Sequence, residues 1–335
     1  MSLTFRKRDA SIRCRLALAC GILALGVSAC GTDGQDGRAV TDAGAGSRFG
    51  GQRLSGTITI EGGGPFGHFA QAAARGFARE NPRVRVTVQE AAGRRGVSTA
   101  CTGATDIAGE AESPGRDSKR ALCARGGNDI AEVQIGNEGI AVVTNEDLKI
   151  DCMTIKQLNQ LWGRGSEVGS YAEIDPGFPD EKLSLFGARR DTSTFAFFNA
   201  AINGAGSDTR RDYGPSADGK GVARDVQAAA TGLGYLGFAA YEGSQDTLNL
   251  VGVDAGSGCR RPDVRSIQEG TYGPLARPLY LRLLAGALKR PEVKAFLDYI
   301  SVNGPDLAKA AQIVPLSDEQ ATRAKDRLAR AEATQ

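Results

Sequence analysis

Histidine is almost missing from this chain, with His68 the single example in 335 residues, and none of the seven cysteines stands in a C-x-x-C pair. Both shortages argue against a metal centre, because transition ions are held by clustered thiolates and imidazoles. There is no G-x-S-x-G elbow either, so a serine hydrolase would lack its nucleophile turn as well as a convincing base. His68 itself follows Gly67 in the first turn of an expected helix, where it reads as a surface or supporting side chain. An excess of one charge is also absent: 41 Lys and Arg oppose 39 Asp and Glu. That balance gives no electrostatic footprint for nucleic acid. No apolar run approaches the ~20 residues of a membrane-spanning helix, and no internal repeat is visible. These absences point away from an enzyme and imply no cofactor.

The beginning of the chain is more informative. Arg6, Lys7, Arg8, Arg13 and Arg15 precede the apolar run Leu16 to Val27 and then Ser28-Ala29-Cys30-Gly31. Charge, a short apolar core and small residues in that order read as a signal peptide over 1–29, and the last four residues resemble a bacterial lipobox with Cys30 as the lipidated residue. The expected product is an extracytoplasmic, membrane-anchored lipoprotein. Removing 1–29 takes away five basic residues and one acidic one, which turns the formal +2 into about −2. Gly, Asp, Ala and Ser dominate the next stretch, so 30–53 is expected to be the lipid anchor and a flexible tether. The remaining stretch from Leu54, roughly 280 residues, is long for one core and suggests two lobes.

Strands and helices alternate from Leu54 onward. Thr57 to Ile60 alternates β-formers, Gly62-Gly63-Gly64-Pro65 supplies a turn, and Phe66, Phe69, Ala70, Ala73 and Phe77 recur at helical spacing up to Asn81-Pro82. Val84 to Gln89 completes a β-α-β unit. A strand that feeds a helix through glycines makes an anion site, since the unpaired amides and the positive end of the helix dipole face the turn. Gly62-x-Gly64-x-x-Gly67, with Glu90 at the end of the next strand, also matches the dinucleotide fingerprint, but Pro65 removes an amide that a pyrophosphate would need. A second such turn runs from Leu183–Gly187 through Arg189-Arg190-Asp191-Thr192-Ser193-Thr194 into the helix Phe195 to Ile202, with Asp191 or Thr192 as N-cap. Arg94 and Arg95 stand at a third turn, so two arginine pairs sit where guanidinium groups would suit an oxyanion. Glu132 to Ile135 and Gly139 to Thr144 read as two extended segments, and Asn145 to Lys149 as a hinge.

Four cysteines remain beyond Cys30: Cys101, Cys123, Cys152 and Cys259. In an exported chain they read as two disulfides with three possible connectivities, of which Cys101 to Cys123 is favoured and Cys152 to Cys259 comes by default.

Several segments together resemble the PstS-type phosphate-binding proteins of ABC importers. They are Thr105-Asp106-Ile107-Ala108, Gly139 to Val143, Leu158 to Trp162, Leu185-Phe186-Gly187 running to Phe198, Arg211-Asp212-Tyr213, Gly234 to Phe238 and Gly270 to Tyr280. The resemblance implies an α/β, two-lobed periplasmic-binding-protein-like (type II) fold with hinge crossovers, expected as 54–144 plus 248–335 for lobe 1 and 145–247 for lobe 2. It also implies a monomer that binds inorganic phosphate and hands it to a permease. The family grips phosphate with a Ser-Ser-Thr turn, a Ser/Thr-Gly turn, an Asp and a Ser-Gly-Thr turn. Asp106 and Thr194 match, Thr192 stands where the family has Ser, and Ser193 where it has Gly. Gly63, Gly64 and Pro65 replace the first turn, and Ala91 and Gly93 the second, while Glu112 and Glu138 also depart from the pattern. The ligand set expected is therefore Gly63, Gly64, Pro65, Phe66, Gly93, Arg94, Asp106, Arg190, Thr192, Ser193 and Thr194. Two alternatives remain: a larger anion such as an organophosphate held by the arginines, and a surface interaction or sensory protein with a degenerate site.

Overall fold

A computed structural model describes residues 48–49, 52–90, 99–111 and 130–333. The signal peptide, Cys30 and most of the tether lie outside the described residues, as do Ala91, Gly93, Arg94, Arg95, Glu112 and Cys123. The last residues assigned to the tether form a small antiparallel ribbon, β1 (Arg48–Phe49) with β2 (Gln52–Arg53).

The opening β-α-β unit forms as its pattern requires. β3 (Gly56–Glu61) buries Ile58 and Ile60 on one face. α1 (Gly64–Glu80) buries Phe66, Phe69, Ala70, Ala73 and Phe77 against the sheet and closes where the Asn81 amide donates to Phe77 O, just before Pro82. β4 (Val84–Gln89) returns parallel to β3. β5 (Ile107–Ala111) lies parallel on the other side of β3, with Ile60 opposite Ile107. Next to it runs β13 (Ala276–Leu284), from the far end of the chain and antiparallel.

The two extended segments expected around Glu132 and Gly139 are one strand, β6 (Ile130–Asn145), sixteen residues long. Its first part pairs with β13, and its last part pairs with β10 (Gly232–Gly237) and β11 (Leu248–Asp254). Beyond β10 come β8 (Ser184–Ala188) and β9 (Gly214–Ser216), both parallel. β6 thus threads a curled sheet that serves two lobes. Its N-terminal half joins a core of Ile58, Phe69, Phe77, Ile107, Leu281 and Phe296; its C-terminal half joins a second core around Trp162, Phe198, Tyr235 and Leu236.

Two expectations about the lobes change. Leu248, Val251, Val253, Ile267, Tyr272 and Leu275 pack in the second core rather than the first, because β11 pairs with the far half of β6. The segment expected as a hinge, Asn145 to Lys149, lies within the second core, between Val143 and Ile150. Asn145 Oδ1 accepts from Asp147 N at 2.9 Å and its Nδ2 donates to Gln227 O at 2.8 Å, so the polar cluster is an Asx turn inside lobe 2. The change of lobe falls earlier along β6, at Asn137 to Ile140, where Val314 bridges Asn137 and Leu275 O receives the Ile140 amide.

Helices cover both faces. In lobe 2, α2 (Ile155–Trp162) starts on a complete capping box between Thr154 and Gln157. After it come α3 (Ser193–Asn203), α4 (Gly219–Ala228) and the short α5 (Phe238–Glu242) and α6 (Val264–Gln268). α7 (Pro291–Ala310) and α8 (Asp318–Ala333) close lobe 1. Among the described residues no helix is long and apolar enough to cross a membrane. Cys152, on β7 (Cys152–Thr154), is bonded to Cys259, on β12 (Cys259–Arg260), across 107 residues. Cys101 is also in a disulfide.

Candidate functional site

β3 ends at Glu61 and delivers the chain to the first turn of α1 with no side chain in the way. Gly63 occupies the N-cap position with extended backbone, and no side chain caps the helix. Gly64 has φ +59°, a conformation that favours glycine. The first amide to bond within the helix is that of Gly67, to Gly63 O, so the turn before it presents backbone donors outward.

α3 begins opposite. Thr192 caps it: Oγ1 accepts from Phe195 N at 3.2 Å and donates to Arg189 O at 2.7 Å. The hydroxyls of Ser193 and Thr194 are not used in this way. A Cβ on Gly64 would collide with the Ser193 side chain, so the starts of α1 and α3 nearly touch, one from each lobe. α4 starts beside them, capped by Asp218, whose Oδ1 accepts from Gly221 N at 2.8 Å.

These three N-termini open into one cleft of about 290 Å³. From lobe 1 it is lined by Gly64, Pro65, His68 and Glu90, and from lobe 2 by Thr192, Ser193, Thr194 and Asp218; Glu138 and Gly139 form its floor on β6. Glu138 is 5 % exposed. Arg277, opposite it on β13, donates Nε and Nη2 to Oε2 at 2.8 and 2.6 Å, and its guanidinium lies 3.8 Å from the centre of the Phe197 ring on α3. Gln312, at φ +55°, brings the α7–α8 connection to the same rim.

Of the expected ligand set, Gly64, Pro65, Thr192, Ser193 and Thr194 line the cleft, with Gly63 at its edge. Gly93 and Arg94 fall outside the described residues. Three others are elsewhere. The Phe66 ring turns inward, into the space that side chains at Gly62 and Gly109 would need. Asp106 precedes the N-terminal end of β5, whereas the cleft lies past the C-terminal end of β3, to which β5 runs parallel. Thr59 N and Oγ1 donate to Asp106 Oδ2 at 2.7 and 2.9 Å, and Arg290 pairs with Oδ1. Its carboxylate is therefore a tie between β3 and the start of α7. Arg190 lies on the outside of lobe 2, paired with Asp208 and 5.3 Å from the Phe195 ring centre. Asp208 is held below the usual carboxylate range by that bond, and Arg189 does the same for Asp191.

Glu138, Asp218 and Gln312 were not expected as site residues. Asp218 was detectable as an N-cap before a glycine helix start, but neither Glu138 nor Gln312 carries a local signal, because strand register and chain crossing bring them to the cleft.

The arrangement can bind an anion: the starts of α1 and α3 and the hydroxyls of Ser193 and Thr194 meet at the cleft. Comparison with known proteins agrees with this geometry. Residues 47–303 match the family profile described as a PBP superfamily domain. The protein SphX of Synechococcus elongatus is 28% identical over 81% of this chain and 80% of its own length. The phosphate-binding protein PstS of Staphylococcus saprophyticus is 26% identical over 70% of this chain and 72% of its own. Among solved structures, a possible phosphate binding protein from Planctomyces limnophilus superposes with a TM-score of 0.77 at 30% identity, covering 83% of this chain and 99% of that one.

Proposed function

The chain belongs to the PBP superfamily, and on that premise we propose that it is an extracytoplasmic lipoprotein that captures inorganic phosphate and delivers it to the permease of an ABC importer. The carrying observation is the meeting of α1 and α3 across the cleft, with Gly64 against Ser193. Two helix N-termini that face each other concentrate positive potential and free amides on one small volume, which suits a compact oxyanion. Hydroxyls on Ser193 and Thr194 add donors from lobe 2. The loss of hydroxyls from the lobe 1 turn is then met by backbone: Gly63 and Gly64 let the amides come close where a side chain would stand off.

A compact oxyanion fits the donors that meet there, the amides at the starts of α1 and α3 and the hydroxyls of Ser193 and Thr194. The chain's relatives named as phosphate-binding proteins support the same reading. Titration calorimetry of residues 31–335 with phosphate and sulfate tests it. Micromolar or tighter phosphate binding is expected; a folded protein that takes neither ion below about millimolar, some 4 kcal/mol of binding energy, leaves the sensory or interaction alternative in its place. Anchoring is tested separately: Cys30→Ala should move the protein from the membrane to the soluble fraction.

A further inference from the structure

We infer that lobe 1 holds a second binding pocket, separate from the cleft, which takes an uncharged apolar molecule about the size of benzene and whose occupant strengthens phosphate binding. The pocket stands independently of the proposed function; only the effect on phosphate rests on that reading. A cavity of about 120 Å³ lies between α7 and α8 over the first half of β6. Its walls are Phe69 of α1, Val133 and Ile135 of β6, Leu297 and Ile300 of α7 and Leu328 of α8. Protein interiors are close-packed, with few voids larger than a water molecule. A cavity of about 150 Å³ walled by Leu, Ile and Phe accepts benzene or xenon, because apolar walls give water too few polar partners. The same residue types form the walls here. Asp318 and Lys325 stand at the rim and are exposed, so their charges stay in water and the interior suits an uncharged molecule.

Asn137 joins this pocket to the cleft, although the two share no described lining residue. On β6 the pocket residues Val133 to Ile135 run on into Glu138 and Gly139 of the cleft floor. Between them, Asn137 exchanges backbone bonds of 2.8 and 2.9 Å with Val314, which lines the cleft. Its side chain reaches the other way: Nδ2 donates to Gln320 Oε1 on α8 at 3.1 Å, and Oδ1 accepts from Gln134 Nε2 in the pocket wall at 2.9 Å. The α7–α8 connection spans the same distance, with Pro305 and Leu316 at the pocket and Ala311 to Val314 at the cleft. An occupant beneath α8 therefore restrains the stretch that forms the cleft rim. Phosphate then has less to order when it binds, which is positive coupling between the two sites.

The test is methyl NMR and thermal melting of the whole chain in mild detergent with and without benzene, followed by calorimetric titration of phosphate under the same two conditions. Benzene should move the methyl signals of Leu297, Ile300 and Leu328 and raise the melting temperature, since a ligand held by the folded state alone stabilises it. Ala324→Leu fills the pocket from α8 and should abolish both effects. Because added volume in a core can strain it, Ala321→Leu, half-buried on the same face of α8, provides a second filling variant with the same expected result. Phosphate should bind about threefold or more tightly when benzene is present, and benzene should make no difference to it in the filled variants. Methyl signals and melting that ignore benzene, or that respond as strongly in the filled variants, overturn the pocket. Benzene binding that leaves phosphate affinity unchanged or weaker overturns the coupling to the cleft. Failure of phosphate to bind under either condition overturns the proposed function, while the methyl signals still decide the pocket.

Discussion

Asp106 and Ser193 are placed differently: Asp106 is bonded within the fold, whereas Ser193 lines the cleft. Since Asp106 joins Thr59 to Arg290, Asp106→Asn is expected to cost about 1.5–3 kcal/mol of stability, the range for a hydrogen bond to a charged group, and to leave phosphate affinity within about twofold. Thermal melting beside a phosphate titration checks both; lost affinity at unchanged melting temperature would return Asp106 to the site. The opposite outcome is expected for Ser193→Ala with Thr194→Val. These hydroxyls are available to a bound anion, and losing them should weaken phosphate binding by about tenfold or more with little change in melting. Thr192→Ala belongs with Asp106: its hydroxyl caps α3, so about 1 kcal/mol of stability should go. The glycine turn and the hydroxyl turn were both legible in the sequence, because caps and glycines are local signals. Which hydroxyl caps the helix and which stays open to the cleft was not. A cap and a ligand donor use the same residue types, and only the bonds from Thr192 to Phe195 and Arg189 separate them. Asp106 was misplaced for a related reason, since a carboxylate beside a strand does not reveal which end of that strand meets the cleft.

Elements with strong periodicity or caps were readable from the sequence: β3, α1, β4, and α2 with its Thr154 capping box. β6 was not, because Gly136 and Gly139 interrupt its apolar run and look like turn residues. Their small size instead admits Ile313 beside Gly136 and Ile267 beside Gly139. α7 runs on through Pro305 to Ala310, although a proline inside a helix removes one backbone bond. The bond between β7 and β12 closes a long loop, so Cys152→Ser with Cys259→Ser should lower stability by about 2–4 kcal/mol. Urea unfolding with and without reductant measures this. Because β7 and β12 flank β11 on the side away from the cleft strands, phosphate affinity should survive the loss.

The whole molecule is two cores on one shared strand. Its acid response should track lobe 2, where Asp208, Asp212 and Asp225 are held low, the first two chiefly by arginine hydrogen bonds and Asp225 chiefly by Ser216. A carboxyl that titrates lower when folded contributes stability that is present above its ordinary value of 3.8 and is lost as pH falls through the folded value. Glu242, pushed up by burial, works the other way. The urea midpoint is therefore expected to stay level from about pH 8 to 5 and to fall below about 4; a midpoint that rises on acidification would contradict the assignment. The position of β6 also sets an order of assembly. Lobe 2 draws its core from Ile140 to Leu275, with Val314 the one later member among the described residues, whereas lobe 1 needs Leu54 to Ile135 and then Leu279 to Leu328. A chain emerging from its N-terminus thus presents β3, α1 and β4 first and completes their core last. Lobe 2 has nearly all its parts while Phe69 and Phe77 still wait for Phe296, so the first segment out is the one that spends longest with its apolar face uncovered.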